Sequence, residues 1–226
     1  MSQRLIPATS AGRSLGSALP LVLAFGAAAM FTGSAIAANV TGTVTLPDGG
    51  KSGKTKDGKD DETATALVWI EGTEASPITA TVPSDPVVIS QKGTQFTPRF
   101  SVAVVGQKVD MPNDDNTAHN VYSKSTPKSF NLGVYPKGES KDVTFDKVGR
   151  IDLLCSMHRQ MSAIIYVVPN EHFAKIGEDG AFKLPDLKPG KYVLKAFHKD
   201  CGEFSQEITV PEKGDATAKV ELSAKK

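Results

Sequence analysis

No part of this chain sustains a helical period. From about residue 40 to residue 210, short apolar runs of strand length alternate with turn signals. The runs are Val40 to Leu46, Ala66 to Ile70, Pro86 to Ser90, Phe100 to Val105, Ser140 to Phe145, Ile151 to Cys155, Ala163 to Val168, Ala181 to Leu184, Tyr192 to His198 and Glu207 to Val210. Pro47-Asp48-Gly49, Pro136-Lys137-Gly138, Asp179-Gly180 and Pro189-Gly190 sit where strands should end. Asn170 to Ile176 is the one candidate for a helical turn. The pattern predicts an all-β chain built as sandwiches.

The N-terminus carries Arg4 and Arg13, no acid before Asp48, and an apolar run from about Leu19 to Phe31. Ala35 and Ala37 supply an A-x-A cleavage site. Together these predict a secretory signal over 1–37 and a mature start at Ala38. The alternative, an uncleaved membrane anchor, suits the run poorly. It falls short of the ~20 apolar residues of a spanning helix, and Pro20 and Gly26 interrupt it. The expected location is therefore periplasmic or secreted, with no stable membrane insertion after cleavage. Loss of the two arginines moves the formal charge from +1 to −1, which gives no reason to expect a nucleic-acid partner.

Asp48 to Thr63 is almost all Gly, Lys, Asp, Ser and Thr, and reads as a solvated loop. A calcium loop starting at Asp57 fails. It puts Lys59 third and Glu62 sixth, where an EF-hand needs an acid or amide and then Gly.

The stretch Cys155-Ser-Met-His158-Arg-Gln-Met161 places a thiol, an imidazole and a thioether in seven positions. Ile151, Leu153 and Cys155 alternate onto one face of a strand, and a second strand begins just after Met161. The seven residues thus form a loop joining two strands, and its donors can converge on one ion. His119, where a polar loop runs into a strand, is the natural fourth donor. Structural zinc sites do not use Met. Two imidazoles, a thiolate and a weak axial thioether are the donor set of a blue-copper electron-transfer centre. Calcium and magnesium want hard oxygen donors. The plain alternatives are a Cys155–Cys201 disulfide, expected by default in an oxidising compartment, a hydrogen-bonded surface His119, and Met161 as core packing.

From about Val87 to Pro169 the sequence resembles the cupredoxins. The likeness is carried by "QFTPRFSVAVVGQKVDMPNDD", "HNV", "LGVYPKGESKDVTF" and "GRIDLLCSMHRQM". The C-x2-H-x2-M spacing is most similar to the short-loop amicyanin type; plastocyanins have more residues before the methionine. The resemblance implies a Greek-key sandwich and a type 1 copper site. Its equatorial ligands would be His119, Cys155 and His158, and its axial ligand Met161. It also implies a hydrogen bond from the Asn120 backbone amide to the Cys155 sulfur, which would tune the metal. Met111 stands where Phe is common, and Arg159 where Pro is frequent. Arg159 puts a charge beside His158, whose edge the resemblance implies is exposed for electron entry. A redox protein partner is expected to dock there.

The flanks carry a second likeness. "GEDGAFKLPDLKPGKYVLKAF", with "VTGTVTLPDGG" and "ATALVWIEG", resembles the transthyretin-like, carboxypeptidase-regulatory module. In joining the two parts the chain resembles secreted proteins often labelled methylamine-utilisation-like. Two short strands cannot stand alone, and domain insertion at a surface loop is tolerated. The expectation is a discontinuous second, smaller sandwich from 38–75 and 170–226, with the copper domain, 76–169, inserted. The alternative adds the N-terminal strands to the cupredoxin sheet.

His198 and Cys201 form an H-x2-C pair with no obvious third ligand, and read as a strand-end histidine and a small thiol. His172 and Tyr122 read as packing or surface, and Trp69 as core. No nucleophile triad or phosphate-binding loop is present. The expected function is one-electron carriage by an exported copper protein that is not an enzyme, since four protein ligands leave no open position for substrate. The alternatives are copper delivery, storage or resistance, and a metal-free binding module.

Overall fold

The computed structural model describes residues 37–46, 66–177 and 179–223. All but the last residue of the expected signal lies outside them, as does the loop at 48–63. Among the described residues every regular element is a strand. In chain order they are β1 (Ala38–Thr45), β2 (Ala66–Glu71), β3 (Val87–Val88), β4 (Ser90–Gln91), β5 (Phe96–Thr97) and β6 (Phe100–Val104). Next come β7 (Lys108–Pro112), β8 (His119–Lys124), β9 (Ser129–Tyr135), β10 (Ser140–Thr144), β11 (Gly149–Leu154) and β12 (Ser162–Val168). The last are β13 (Phe173–Lys175), β14 (Ala181–Leu187), β15 (Gly190–His198), β16 (Gly202–Val210) and β17 (Ala216–Glu221). No helix among the described residues is long and apolar enough to cross a membrane.

One sandwich faces the five-stranded sheet β6-β12-β11-β8-β9 against the three-stranded sheet β10-β7-β3. Its core holds Val109 and Met111 of β7, Val121 of β8, Ile151 and Leu153 of β11, and Ile165 and Val167 of β12. β6 and β12 run parallel, as do β3 and β7, while β11 and β12 are antiparallel neighbours joined by the Cys155–Met161 loop.

A second core lies between the sheets β14-β1-β17 and β13-β2-β15-β16. In β1, Ala38, Val40 and Val44 face this core. β1 pairs antiparallel with β14 and parallel with β17. β2 pairs with β13 and with β15.

The uninterrupted apolar run Ala66-Leu-Val-Trp-Ile70 follows from burial of both its faces. Ala66, Val68 and Ile70 enter the second core. Leu67 and Trp69 point the other way, into a third cluster with Phe100, Val102, Val104, Tyr166, Val168 and Phe197. β6 and β12 are covered on both sides in the same way, and apart from the buried Ser101 and the exposed leading Ser162 their residues are apolar. At ~1.5–3 kcal/mol for each large side chain buried, this third cluster is a substantial joint. Trp69 and Tyr166 have ring centroids 5.0 Å apart, and Tyr166 and Phe197 4.5 Å. The Tyr166 hydroxyl donates to Glu203 Oε1 at 2.5 Å, so its buried polar tip is satisfied.

Two local expectations fail. Asn170 to Ile176 makes no helical turn. Asn170 Nδ2 donates to the Ile70 carbonyl at 2.8 Å and steers the chain along the edge of β2, where Phe173 and Ala174 pair with Trp69 and Val68. Pro86 to Ser90 is not one strand. The chain leaves β7 after Val88 and starts a hairpin with β5 at Ser90, because the fully buried Ile89 turns into the core between the two pairings.

Candidate metal centre

His119 is the first residue of β8, and the loop before it is strongly fixed. Asn113, fully buried, donates from Nδ2 to the carbonyls of Thr117 and Tyr135, each at 3.0 Å. Its Oδ1 accepts from the Asp115 amide at 2.9 Å, and its own amide donates to Glu139. Asp115 then receives His119: Nε2 and Asp115 Oδ2 are 3.0 Å apart. That hydrogen bond is the main reason the Asp115 carboxyl is held below its ordinary pKa.

Cys155 directly follows β11 and is 4% exposed. His158 lies three residues on, partly exposed, and the loop closes where the Met161 amide donates to the His158 carbonyl at 3.0 Å. Cys155 Sγ lies 4.0 Å from His158 Nδ1, and the two histidine Nδ1 atoms are 3.1 Å apart. One ligand atom from each of His119, Cys155 and His158 lies within 4.8 Å of the others. The rings meet at 67°, so their Nδ1 edges converge without stacking.

This arrangement has a direct chemical consequence. An ionised carboxylate only accepts, so His119 Nε2 carries a hydrogen, and in the neutral ring Nδ1 then presents a lone pair. Two nitrogens 3.1 Å apart need either a proton or a cation between them. The group is therefore built to hold one or the other.

Met161 is 1% exposed and belongs to the same core cluster as Cys155. Asn120 follows His119; its side-chain amide donates to Asn131 Oδ1 at 2.7 Å. No disulfide joins Cys155 and Cys201. Among the described residues, His198 and Cys201 do not form a second donor group of this kind. His198 Nδ1 instead accepts from the Asp200 amide at 3.3 Å. Trp69 is core, as its sequence context suggests.

Sequence reasoning gave no role to Asn113, Asp115 or Tyr135. Tyr135 pairs in register with His119 and is fully buried. Its hydroxyl donates to the Met111 carbonyl at 2.8 Å and accepts from Gln91 Nε2 at 2.7 Å. Burial pushes its pKa up to about 12. The polar run Asn113-Asp114-Asp115 between two strands was the available signal for the first two.

The donors fit a soft or borderline metal. Asp115 is no spare oxygen ligand: Oδ2 already takes His119 and the Thr94 amide, and Oδ1 the Asn116 amide. Without a hard oxygen in the group, calcium and magnesium do not fit. Two imidazole nitrogens and a thiol, with Met161 buried in the same core cluster as the thiol, suit copper.

No family model matches the chain, and no curated protein does. Among solved structures it is similar to a Cu-containing nitrite reductase from Thermus scotoductus SA-01, at 24% identity over 45% of this chain and 26% of that one, TM-score 0.36. The chain thus spans about a quarter of that reductase. It is also similar to a purple cupredoxin from Nitrosopumilus maritimus, at 22% identity over 36% of this chain and 99% of that one, TM-score 0.34. Amicyanin from Paracoccus versutus gives 21% identity over 45% of this chain and 97% of that one, TM-score 0.35. At these TM-scores the likeness carries no functional weight, and the donor geometry must stand by itself.

Proposed function

We propose that this chain is an exported type 1 copper protein that carries single electrons between redox partners. The observation that carries the proposal is the convergence of His119, Cys155 and His158 at one end of the first sandwich. In this reading those three residues would hold the copper, with Met161 as a weaker fourth donor. The Asn120 backbone amide supports the Cys155 sulfur. Copper bound there supplies a one-electron Cu(I)/Cu(II) couple.

The chain's own residues divide the remaining work. Buried Cys155 and His119 keep water from the donors. His158, partly exposed between the exposed Met157 and Arg159, is the edge through which an electron enters or leaves. A redox protein partner docks at that edge. Four protein donors leave no position for a substrate, so the protein is a carrier rather than an enzyme. The second core, with its strands drawn from both flanks, is read as a transthyretin-like module into which the copper domain, 76–169, is inserted. The N-terminal segment, 1–37, directs export.

The test is a visible and paramagnetic-resonance spectrum of the copper-loaded protein, with one copper per chain and reversible colour on reduction and reoxidation. Cys155→Ser should abolish the thiolate-to-copper band, because a hydroxyl is a poor soft donor. An unchanged spectrum in that variant overturns the assignment. Rapid loss of copper to a chelating acceptor would favour delivery instead.

A further inference from the structure

We propose that Asp115, gripped by the β4–β5 hairpin, is a positioning residue that fixes the His119 tautomer and loads negative charge onto that ring, biasing the centre toward Cu(II). This rests on the copper reading above.

The hairpin turn is Lys92-Gly93-Thr94-Gln95, closed by a bond from the Lys92 amide to the Gln95 carbonyl at 3.0 Å. Both central residues have positive φ, 63° at Gly93 and 59° at Thr94. Two-residue hairpins favour Gly or Asn at such positions, and a β-branched Thr there is strained. Strain of this kind persists only where the surroundings over-determine it. Here the Thr94 amide donates to Asp115 Oδ2 at 2.7 Å. That same oxygen takes His119 Nε2.

The carboxylate is thus clamped from three directions: Thr94 on the hairpin, Asn116 on its own loop, and His119. The Asn113 side chain anchors its backbone amide as well. A carboxylate with every contact a donor is rigid, and it can only accept. It therefore selects the Nε2–H tautomer of His119 before any metal arrives and aims Nδ1 at the other donors. Its charge also makes the imidazole a stronger donor, which favours the more highly charged copper state.

Two measurements test this. Nitrogen-15 NMR of the metal-free wild-type protein should place the His119 proton on Nε2. This needs no variant, and it stands even if the protein binds no copper. In Asp115→Asn, which keeps the shape and drops the charge, the ratio of Cu(II) to Cu(I) affinity should fall about tenfold, an upward potential shift of ~59 mV for a one-electron couple. A merely structural Asp115 would lower stability but leave that ratio unchanged. A His119 proton found on Nδ1, or a potential unchanged in a folded Asp115→Asn protein, overturns the proposal. A colourless wild-type protein would instead overturn the copper reading.

Discussion

Val40 of β1 and Ala216 of β17 are register partners in a parallel pair, while on its other side β1 runs antiparallel to β14, with Val40 opposite Leu184. A parallel pair cannot be joined by a hairpin and needs a crossover connection. Here the crossover includes the whole sandwich that carries His119, Cys155 and His158. The first described strand is thus held between two of the last, and the second core cannot be completed until both flanks of the chain are present.

That relationship makes Gly42 a sensitive position. A Cβ there would lie 2.0 Å from the Ala218 carbonyl oxygen, a backbone atom that cannot swing aside. Gly42→Ala should cost about 2–3 kcal/mol by overpacking, read as a lower urea midpoint, while the copper spectrum stays unchanged. An unaltered midpoint would mean β1 is not seated against β17.

The alternation of apolar residues made most strands legible, and the donor loop was legible because seven residues hold three metal-binding side chains. Several strands were not, among them β5, β7, β9, β13 and β17. In β17 the inward positions Ala216 and Ala218 are too small to register as an apolar run. In β9 Gly133 takes φ 73° and breaks the apparent pattern. The Thr94–Asp115 contact was hidden for another reason. Thr94 is distant in sequence, and only the folded hairpin brings its amide to the carboxylate. The dual burial of β2 was equally invisible, since an apolar run does not say which neighbour covers which face.

Met161 should tune potential more than affinity if it is the axial ligand. Met161→Gln should retain the copper–thiolate band and lower the potential, because a harder oxygen favours Cu(II). Voltammetry decides it: an unchanged potential would remove Met161 from the metal.

His198 should give the second sandwich a pH dependence. Burial is the main cause of its lowered pKa; Asp200 opposes the shift and Lys199 adds to it. The unfolded chain, near the ordinary value of 6.5, then takes up a proton that the folded chain resists. The associated stability is complete above 6.5 and is lost as pH falls from there toward the depressed folded value. Protonation at Nδ1 would also break the bond from the Asp200 amide. Urea midpoints across that window should fall less steeply in His198→Gln than in the wild type. Parallel curves would show that His198 does not contribute.

The third cluster predicts that the two sandwiches unfold together. Trp69 supplies one face of β2 to the joint, while Val68 and Ile70 on the other face stay in the second core. Its indole Nε1 donates to Glu71 Oε1 at 3.0 Å, so the residue is both packed and polar-satisfied. Trp69→Ala should therefore cost ~3–5 kcal/mol at the joint without emptying either neighbouring core. In the wild type, copper should raise a single Tm, by the linkage of ~2.7 kcal/mol expected at a hundredfold excess over Kd. In Trp69→Ala, calorimetry should resolve two transitions. Copper should raise only the one belonging to the sandwich that contains His119, Cys155 and His158. A single transition at the wild-type temperature would show that Trp69 does not hold the two sandwiches together. Two transitions in the wild type, with copper raising only one, would show that the joint couples nothing.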